Sequence, residues 1–344
     1  MKALVSMGVL ALSLCMASTT VGQTGKPRGA AATVPTTPAV APKRINRAIE
    51  VLESGQPVYY TQVSGGGYED GKRLAATKAD YITYDMEHGT FDIAALRAFM
   101  KGLVDAGKTR TGHRTPAIIV TLPVLGDNPA SMRANAWVVQ QVLASGVHGI
   151  LLCQAESPEA VRIFVEAARY PFAAGADVSQ SHRGAGSQSF ASEIWGVSPN
   201  EYLAKADVWP LNPNGEVMLG IKIENPKAVA HAEELTKIPG IAFAEWGPGD
   251  QSFYLLGIPK VERVVRDANG SPYYIAGSND HEPAMVRTRA RVLAATKAAG
   301  IRFLNACPED DVINQIKEGT MICTGGDTKS ADIGRAYTKR KTVW

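Results

Sequence analysis

From about residue 43 the chain alternates two patterns. Short, almost unbroken apolar runs are separated by longer segments in which apolar residues recur every three or four positions. The first pattern suits strands covered on both faces, the second suits amphipathic helices. Eight runs read as strands: PVYYTQV (57–63), DYITYDM (80–86), AIIVTLP (117–123), GILLCQ (149–154), VMLGIKIE (217–224), IAFAEWG (241–247), IRFLNA (301–306) and TMICTGG (320–326). Helical spacing lies between them, as in IAALRAFMKGLVDAG, RANAWVVQQVLASG and SPEAVRIFVEAARY. Ser157 is placed to cap the last of these, and Pro226 to open the helix after the fifth strand.

Eight strands in alternation with helices predict a single α/β domain, a (β/α)8 TIM barrel over 43–344. A doubly wound open sheet is the alternative. It is weakened because the glycine-rich GGGYEDG after the first strand lacks the dinucleotide-binding spacing. Residues 171–216 are long and irregular and suggest a loop over the barrel mouth.

In such a barrel the chemistry sits at the C-terminal ends of the strands. Asp85 and His88 fall there on the second strand, Glu224 on the fifth and Asp250 just past the sixth. A carboxylate at the mouth of a buried strand costs several kcal/mol unless it is paired or holds a cation. Glu224 and Asp250, on neighbouring strands, therefore form a candidate site for a hard metal ion. His88 at a strand-to-helix turn suits general base work, or equally a structural role.

Composition refines this picture at the N-terminus. The stretch MKALVSMGVLALSLCMASTT has the short basic start, apolar core and small-residue exit of a signal peptide, assigned to 1–23. A membrane anchor is the other reading. Residues 24–42, rich in Pro, Ala, Thr and Gly, read as a flexible linker. Together these predict a periplasmic or secreted protein with no stable membrane span after cleavage. The net charge of +3 carries no basic stripe, so nucleic acid is not an expected partner. After signal removal Cys153, Cys307 and Cys323 remain, an odd number. Cys307 and Cys323 can pair or stay as buried thiols, the second being the default.

Several stretches resemble the HpcH/HpaI aldolases, the class II pyruvate aldolases. They are DYITYDMEHGTFD, ASGVHGILLCQAESPEAV, AARYPF with SHRGAGS, LGIKIENPKAV, IPGIAFAEWGPGDQS and MICTGGDT. The resemblance spans roughly residues 45–335 and implies a barrel, a divalent metal and carbon–carbon bond chemistry through a pyruvate-type enolate. It implies Glu224 and Asp250 as metal ligands and His88 as the catalytic histidine. It also implies that the amides of Gly249 and Asp250 hold the substrate carboxylate. The metal would be Mg2+, Mn2+ or Co2+, the substrate a small carbonyl or carboxylate compound, and the assembly a homo-oligomer, a trimer or hexamer.

The chain departs from that pattern at three places. Leu122 stands where the family has its substrate-binding Arg, Ala144 where an Asp partners the histidine, and Lys222 where a Gln precedes the metal Glu. Leu cannot bind a carboxylate, and His88 without the Asp loses an orienting partner. Lys222 lies two residues before Glu224 and so faces the same way. It can supply the missing positive charge, act as a Schiff-base nucleophile with a depressed pKa, or pair with Glu224 or Glu245. Trp246 can stack on an aryl substrate or sit in the core, and Arg183 can bind an anionic substrate or hold its own loop. The expected function is a metal-dependent aldolase-like lyase acting on a 2-oxo acid or related carbonyl compound other than the usual one. A non-aldolase small-molecule-binding barrel or a metal-dependent hydrolase is the alternative.

Overall fold

The computed structural model describes residues 43–340, apart from 124, 178, 180, 258–260, 271 and 277–278. For 261–265, 272–276 and 279 it describes the backbone. The signal segment and linker expected over 1–42 lie outside the described residues. The barrel lies in the second of two units into which the chain divides, Met1–Pro38 and Ala39–Trp344. Among the described residues no helix is long and apolar enough to cross a membrane.

All eight expected strands form. They are β1 (Val58–Val63), β2 (Tyr81–Asp85), β3 (Ala117–Thr121), β4 (Gly149–Leu152), β5 (Val217–Ile223), β6 (Phe243–Trp246), β7 (Arg302–Asn305) and β8 (Thr320–Thr324). Each pairs in parallel with the next, and β8 pairs with β1 to close the barrel. Helices link the strands and pack outside them. Three of the loops leaving the strands' C-terminal ends finish in a polar cap followed by proline. Asn128, Ser157 and Asn225 each accept an amide of the first helical turn, with Pro at the helix start.

Strand alternation divides the core in two. Ile118, Val120, Leu219, Ile221, Ala244 and Trp246 point outward into the layer under the helices. Tyr60, Tyr81, Ile119, Leu151, Phe243, Leu304 and Ile322 fill the barrel. The Tyr60 and Tyr81 rings stack at 5.0 Å. Gly220 makes room for the Phe243 ring, since a Cβ there would meet Phe243 Cζ at 2.2 Å.

Two expectations are corrected. The described residues of 171–216 do not form a loop over the mouth. They form two helices, Gln188–Trp195 and Pro199–Lys205, and the short strand Val208–Trp209, which pairs with the start of β5. Trp195 Nε1 donates to Gly146 O, and Arg114 Nε donates to Ile194 O, both at the N-terminal end of the barrel. The segment is anchored there because its buried aromatics need the apolar ends of the returning helices. Cys307 and Cys323, expected by default as two thiols, form a disulfide that ties the end of β7 to β8. The two adjacent strands bring their Cα atoms to 5.3 Å, within bonding range for a disulfide. Among the described residues Cys153 is the free, buried cysteine.

An antiparallel hairpin, Val261–Arg266 with Pro272–Ala276, is inserted after the helix Pro248–Leu256. Its turn docks on the end of β1 and the residue after it: Ser64 N donates to Asp267 Oδ2 at 2.8 Å, and Ala268 N to Gln62 O at 3.0 Å.

Candidate active site

The inward positions near the strands' C-terminal ends switch from apolar to polar. Gln62 on β1, Asp85 on β2, Thr121 on β3, Cys153 after β4, Lys222 on β5 and Glu245 on β6 share the parity of the barrel-filling residues beneath them. Glu224 continues the β5 alternation one step further, so Lys222 and Glu224 face the same interior, as their spacing predicts.

Lys222 is the hub of this layer. Its Nζ lies 2.7 Å from Glu87 Oε2 and 2.9 Å from Glu224 Oε2. Its partners are therefore Glu87 and Glu224, whereas Glu245 acts on it through charge. Burial alone would lower the Lys222 pKa. The Cys153 thiol and the carboxylates of Glu224, Glu245 and Glu87 outweigh it and hold the pKa well above the ordinary value. Seated between two carboxylates, the side chain stands as an ammonium rather than the depressed amine of a Schiff-base nucleophile, which weighs against that reading of Lys222.

Glu224 is buried, and Gln154 N donates to its Oε1 at 2.8 Å. Burial raises its pKa, Lys222 opposes the rise, and Glu87, Asp250 and Glu245 add to it, so that it is pushed up to about 8. Burial also raises Glu245. Gly247 lets Glu224 lie against the end of β6, because a Cβ at 247 would meet Glu224 Oε2 at 2.8 Å.

Gln154 escaped the sequence reading and links the two predicted metal carboxylates. Its amide holds Glu224, and its side-chain Nε2 donates to Asp250 Oδ2 at 3.2 Å. Asn225 Nδ2 donates to Gln154 Oε1 and, at 3.0 Å, to Glu156 Oε1. Gln154 adopts φ 49°, a left-handed conformation that a non-glycine residue holds only when its surroundings enforce it. Only the tertiary contacts of the adjacent strand ends reveal this, since the residue simply ends the apolar run GILLCQ.

His88 keeps an orienting partner despite Ala144. Its Nδ1 is 2.8 Å from Asp85 Oδ2. Asp85 is itself fixed by the amides of Glu87 and His88, at 2.8 and 3.0 Å, and by Gln62 Nε2 at 3.0 Å. The hydrogen bond to Asp85 raises the His88 pKa, and burial only partly opposes it. The side chain is 61% exposed and so reachable from the mouth. Ala144 lies at the end of the helix Ala136–Leu143, which leads down to the start of β4 and away from His88. Leu122 shares the outward parity of Ile118 and Val120 and is buried in the layer under the helices. Neither position of this chain borders the mouth.

The helix Pro248–Leu256 begins beside Glu224. Gly249 and Asp250 lie in its first turn, where amides have no acceptor inside the helix. Gly249 is partly exposed, and a Cβ there would meet nothing within 4 Å.

Two predicted residues are not brought to the mouth. Arg183 Nη1 donates to Ala168 O and Ala206 O, each at 3.1 Å, and the guanidinium lies 4.1 Å from the Tyr170 ring centroid. Ala206 precedes β5, at the opposite end of the barrel, so the substrate-binding expectation for Arg183 is corrected to a structural one. Trp246 faces outward, and its Nε1 donates to Thr288 Oγ1 at 3.2 Å. It is core, and Glu245 is the inward neighbour.

Among the described residues, two groups of possible ligand atoms lie within 4.8 Å of one another: Asp85, Glu87 and His88, and Glu87, Cys153 and Glu224. Asp250 joins Glu224 through Gln154 rather than in either group.

No family model matches the chain. Over 173 residues, 50% of the chain, it is 26% identical to a hydroxypyruvate/pyruvate aldolase of Deinococcus radiodurans, spanning 51% of that protein. It is 25% identical over 250 residues to a hydroxypyruvate/pyruvate aldolase of Delftia acidovorans, covering 73% of the chain and 76% of that protein. The chain thus spans about half the length of the first of these relatives and three quarters of the second. The crystal structure of an HpcH/HpaI aldolase/citrate lyase family protein from Burkholderia cenocepacia J2315 superposes with a TM-score of 0.60 at 20% identity, over 85% of this chain and 96% of that one. The chain is therefore similar in sequence to hydroxypyruvate/pyruvate aldolases and shares the (β/α)8 fold of a solved HpcH/HpaI aldolase/citrate lyase family protein.

Proposed function

We propose that the protein is a metal-dependent carbon–carbon lyase of the aldolase type that acts on a 2-oxo acid or related carbonyl compound through an enolate. The observation that carries this reading is the convergence of Glu224 and Asp250 on Gln154, beside the Asp85–His88 pair, at one end of the barrel. The sequence relatives support the aldolase class.

The residues fit a divalent cation. Five acidic side chains, Asp85, Glu87, Glu224, Glu245 and Asp250, gather in this layer with the basic Lys222 and His88. The donors are hard carboxylate oxygens, which suit Mg2+, Mn2+ or a similar ion. One cation, the Lys222 ammonium, already rests against two of them. Glu224 and Asp250 would hold the metal. Bound there, it would act as a Lewis acid toward the developing enolate charge.

The chain's own groups account for the rest. The amides of Gly249 and Asp250 bind the substrate carboxylate at the open first turn. Asp85 fixes the His88 tautomer through Nδ1, which leaves Nε2 to take or return a proton, directly or through one water. The apolar residues beneath the layer exclude bulk water and strengthen each of these interactions.

Exchange of the pyruvate methyl protons in D2O, followed by NMR with Mg2+, Mn2+ and Co2+ in turn, tests this reading. Metal-dependent exchange that disappears in Glu224→Ala is the expected result. No exchange with any of the three ions would overturn the pyruvate-type assignment. The signal-like N-terminus and the Cys307–Cys323 disulfide support an exported, periplasmic or secreted protein.

A further inference from the structure

Resting on the metal-dependent reading above, we infer that Lys222 couples binding of the divalent ion to binding of the substrate anion. The ammonium is seated on Glu224, the carboxylate to which the metal would bind, at 2.9 Å, and is anchored on the other side by Glu87 at 2.7 Å. Its side chain is buried, so water screens it little. A divalent ion arriving at Glu224 is repelled by this resident charge and must share the carboxylate with it. Without substrate, the site therefore binds metal more weakly than its carboxylates alone would.

A 2-oxo acid changes the balance. Its carboxylate brings a negative charge to the same mouth. There Arg183 is committed at the far end of the barrel, and Leu122 is in the layer under the helices. Lys222 is the ammonium of the inward layer and, with the Gly249 and Asp250 amides, the group suited to receive that anion. Once the anion is bound, the repulsion between ammonium and metal is offset. Metal and substrate then bind cooperatively, and by linkage each tightens the other by the same factor. Lys222 in this role is a substrate-binding residue. It makes metal occupancy conditional on an anionic 2-oxo acid and discriminates against neutral carbonyl compounds.

Mn2+ binding to the mature protein, read by electron paramagnetic resonance of the free ion, tests this with and without saturating pyruvate. For wild type, pyruvate should lower the Mn2+ Kd at least tenfold. Lys222→Gln should bind Mn2+ at least tenfold tighter than wild type when pyruvate is absent, and should gain less than threefold from pyruvate. Lys222→Arg, which keeps the charge, should retain the coupling. Equal Mn2+ affinity of wild type and Lys222→Gln without pyruvate would overturn the inference while leaving the metal site intact. So would a wild-type Kd indifferent to pyruvate, a result that needs no variant to fold. Absence of Mn2+ binding by every protein would instead overturn the metal-dependent reading itself, and this inference with it.

Discussion

The two halves of the barrel interior are built from the same strands and obey opposite rules. In the lower half, Tyr60, Tyr81, Ile119, Leu151, Phe243 and Ile322 fill the interior, and the histidine just before β4 is kept neutral by burial. His148, just before β4, is buried, accepts the Ile118 amide on Nδ1 at 3.1 Å and stacks on Trp195. Burial, with a contribution from His113, pushes its pKa down to about 3. Toward the C-terminal ends of β2, β5 and β6 and in the turns that follow, five acidic side chains are packed around the Lys222 ammonium. The lower half minimises the cost of burying polar groups. The upper half concentrates that cost where a cation and an anionic ligand can offset it. Stability and chemistry are thereby separated along one axis, and each can be perturbed while the other is read as a control.

The largest effect expected is on stability and belongs to the lower half. Because the folded pKa of His148 lies below its ordinary 6.5, the unfolded chain takes up the proton first. Its contribution is complete above about pH 6.5 and is lost as the pH falls toward 3, by on the order of 4–5 kcal/mol. Denaturant unfolding from pH 7 to pH 4 should show the larger part of this loss in wild type, roughly 3 kcal/mol. In a His148→Gln variant, which cannot gain the proton, the acid-dependent part should be much smaller.

Next in size is Glu224→Ala, expected to lower kcat/KM for metal-dependent pyruvate exchange by roughly 10^3-fold, several kcal/mol of transition-state stabilisation. Thermal unfolding should show no comparable loss of stability, since the removed carboxyl is buried among like charges. A large fall in Tm together with the activity would break the separation of the two halves.

Reduction of the Cys307–Cys323 disulfide, which closes a loop of sequence separation 16, should cost about 3 kcal/mol of stability. Chemical denaturation with and without a reductant measures it. Exchange activity of the reduced, still folded protein should be unchanged, because the bridge lies outside the polar layer with Tyr59, Val312 and Ala331.

The smallest effect is the sharpest probe of the mouth. Asp85→Asn should lower the His88 pKa toward the ordinary value, since the Asp85 hydrogen bond is what raises it. NMR titration of the ring reads this shift. Activity should fall by about 10–100-fold through loss of the orienting partner. An unmoved pKa would mean that Asp85 does not hold His88 in solution.

Much of this molecule was legible in its sequence, and the exceptions share a cause. The eight strands were readable because buried parallel strands need apolar residues on both faces, which leaves a local signature. The inward pairing of Lys222 with Glu224 followed from strand alternation alone. The placement of residues 171–216, and with it Arg183, did not. An irregular segment carries no periodicity, and the surface it covers is decided by which apolar patch remains open once the barrel closes. Resemblance drew attention to Leu122 and Ala144 as losses, yet neither borders the mouth of its own chain.

By itself, then, the sequence determined the alternation of strand and helix, the face on which Lys222 and Glu224 stand, and the strand ends that hold Asp85, His88 and Asp250. These depend on periods of two and of 3.6 residues, which are local. Tertiary structure alone decided that Lys222 is shared by Glu87 and Glu224, that Gln154 ties Glu224 to Asp250, and that Asp85 orients His88. It also decided that Cys307 meets Cys323. Most of these partnerships join residues far apart in the chain. Even Asp85 and His88, three residues apart, meet only because the turn after β2 leaves the strand where it does. Their distances exist only once the closed barrel brings its strand ends to a common rim.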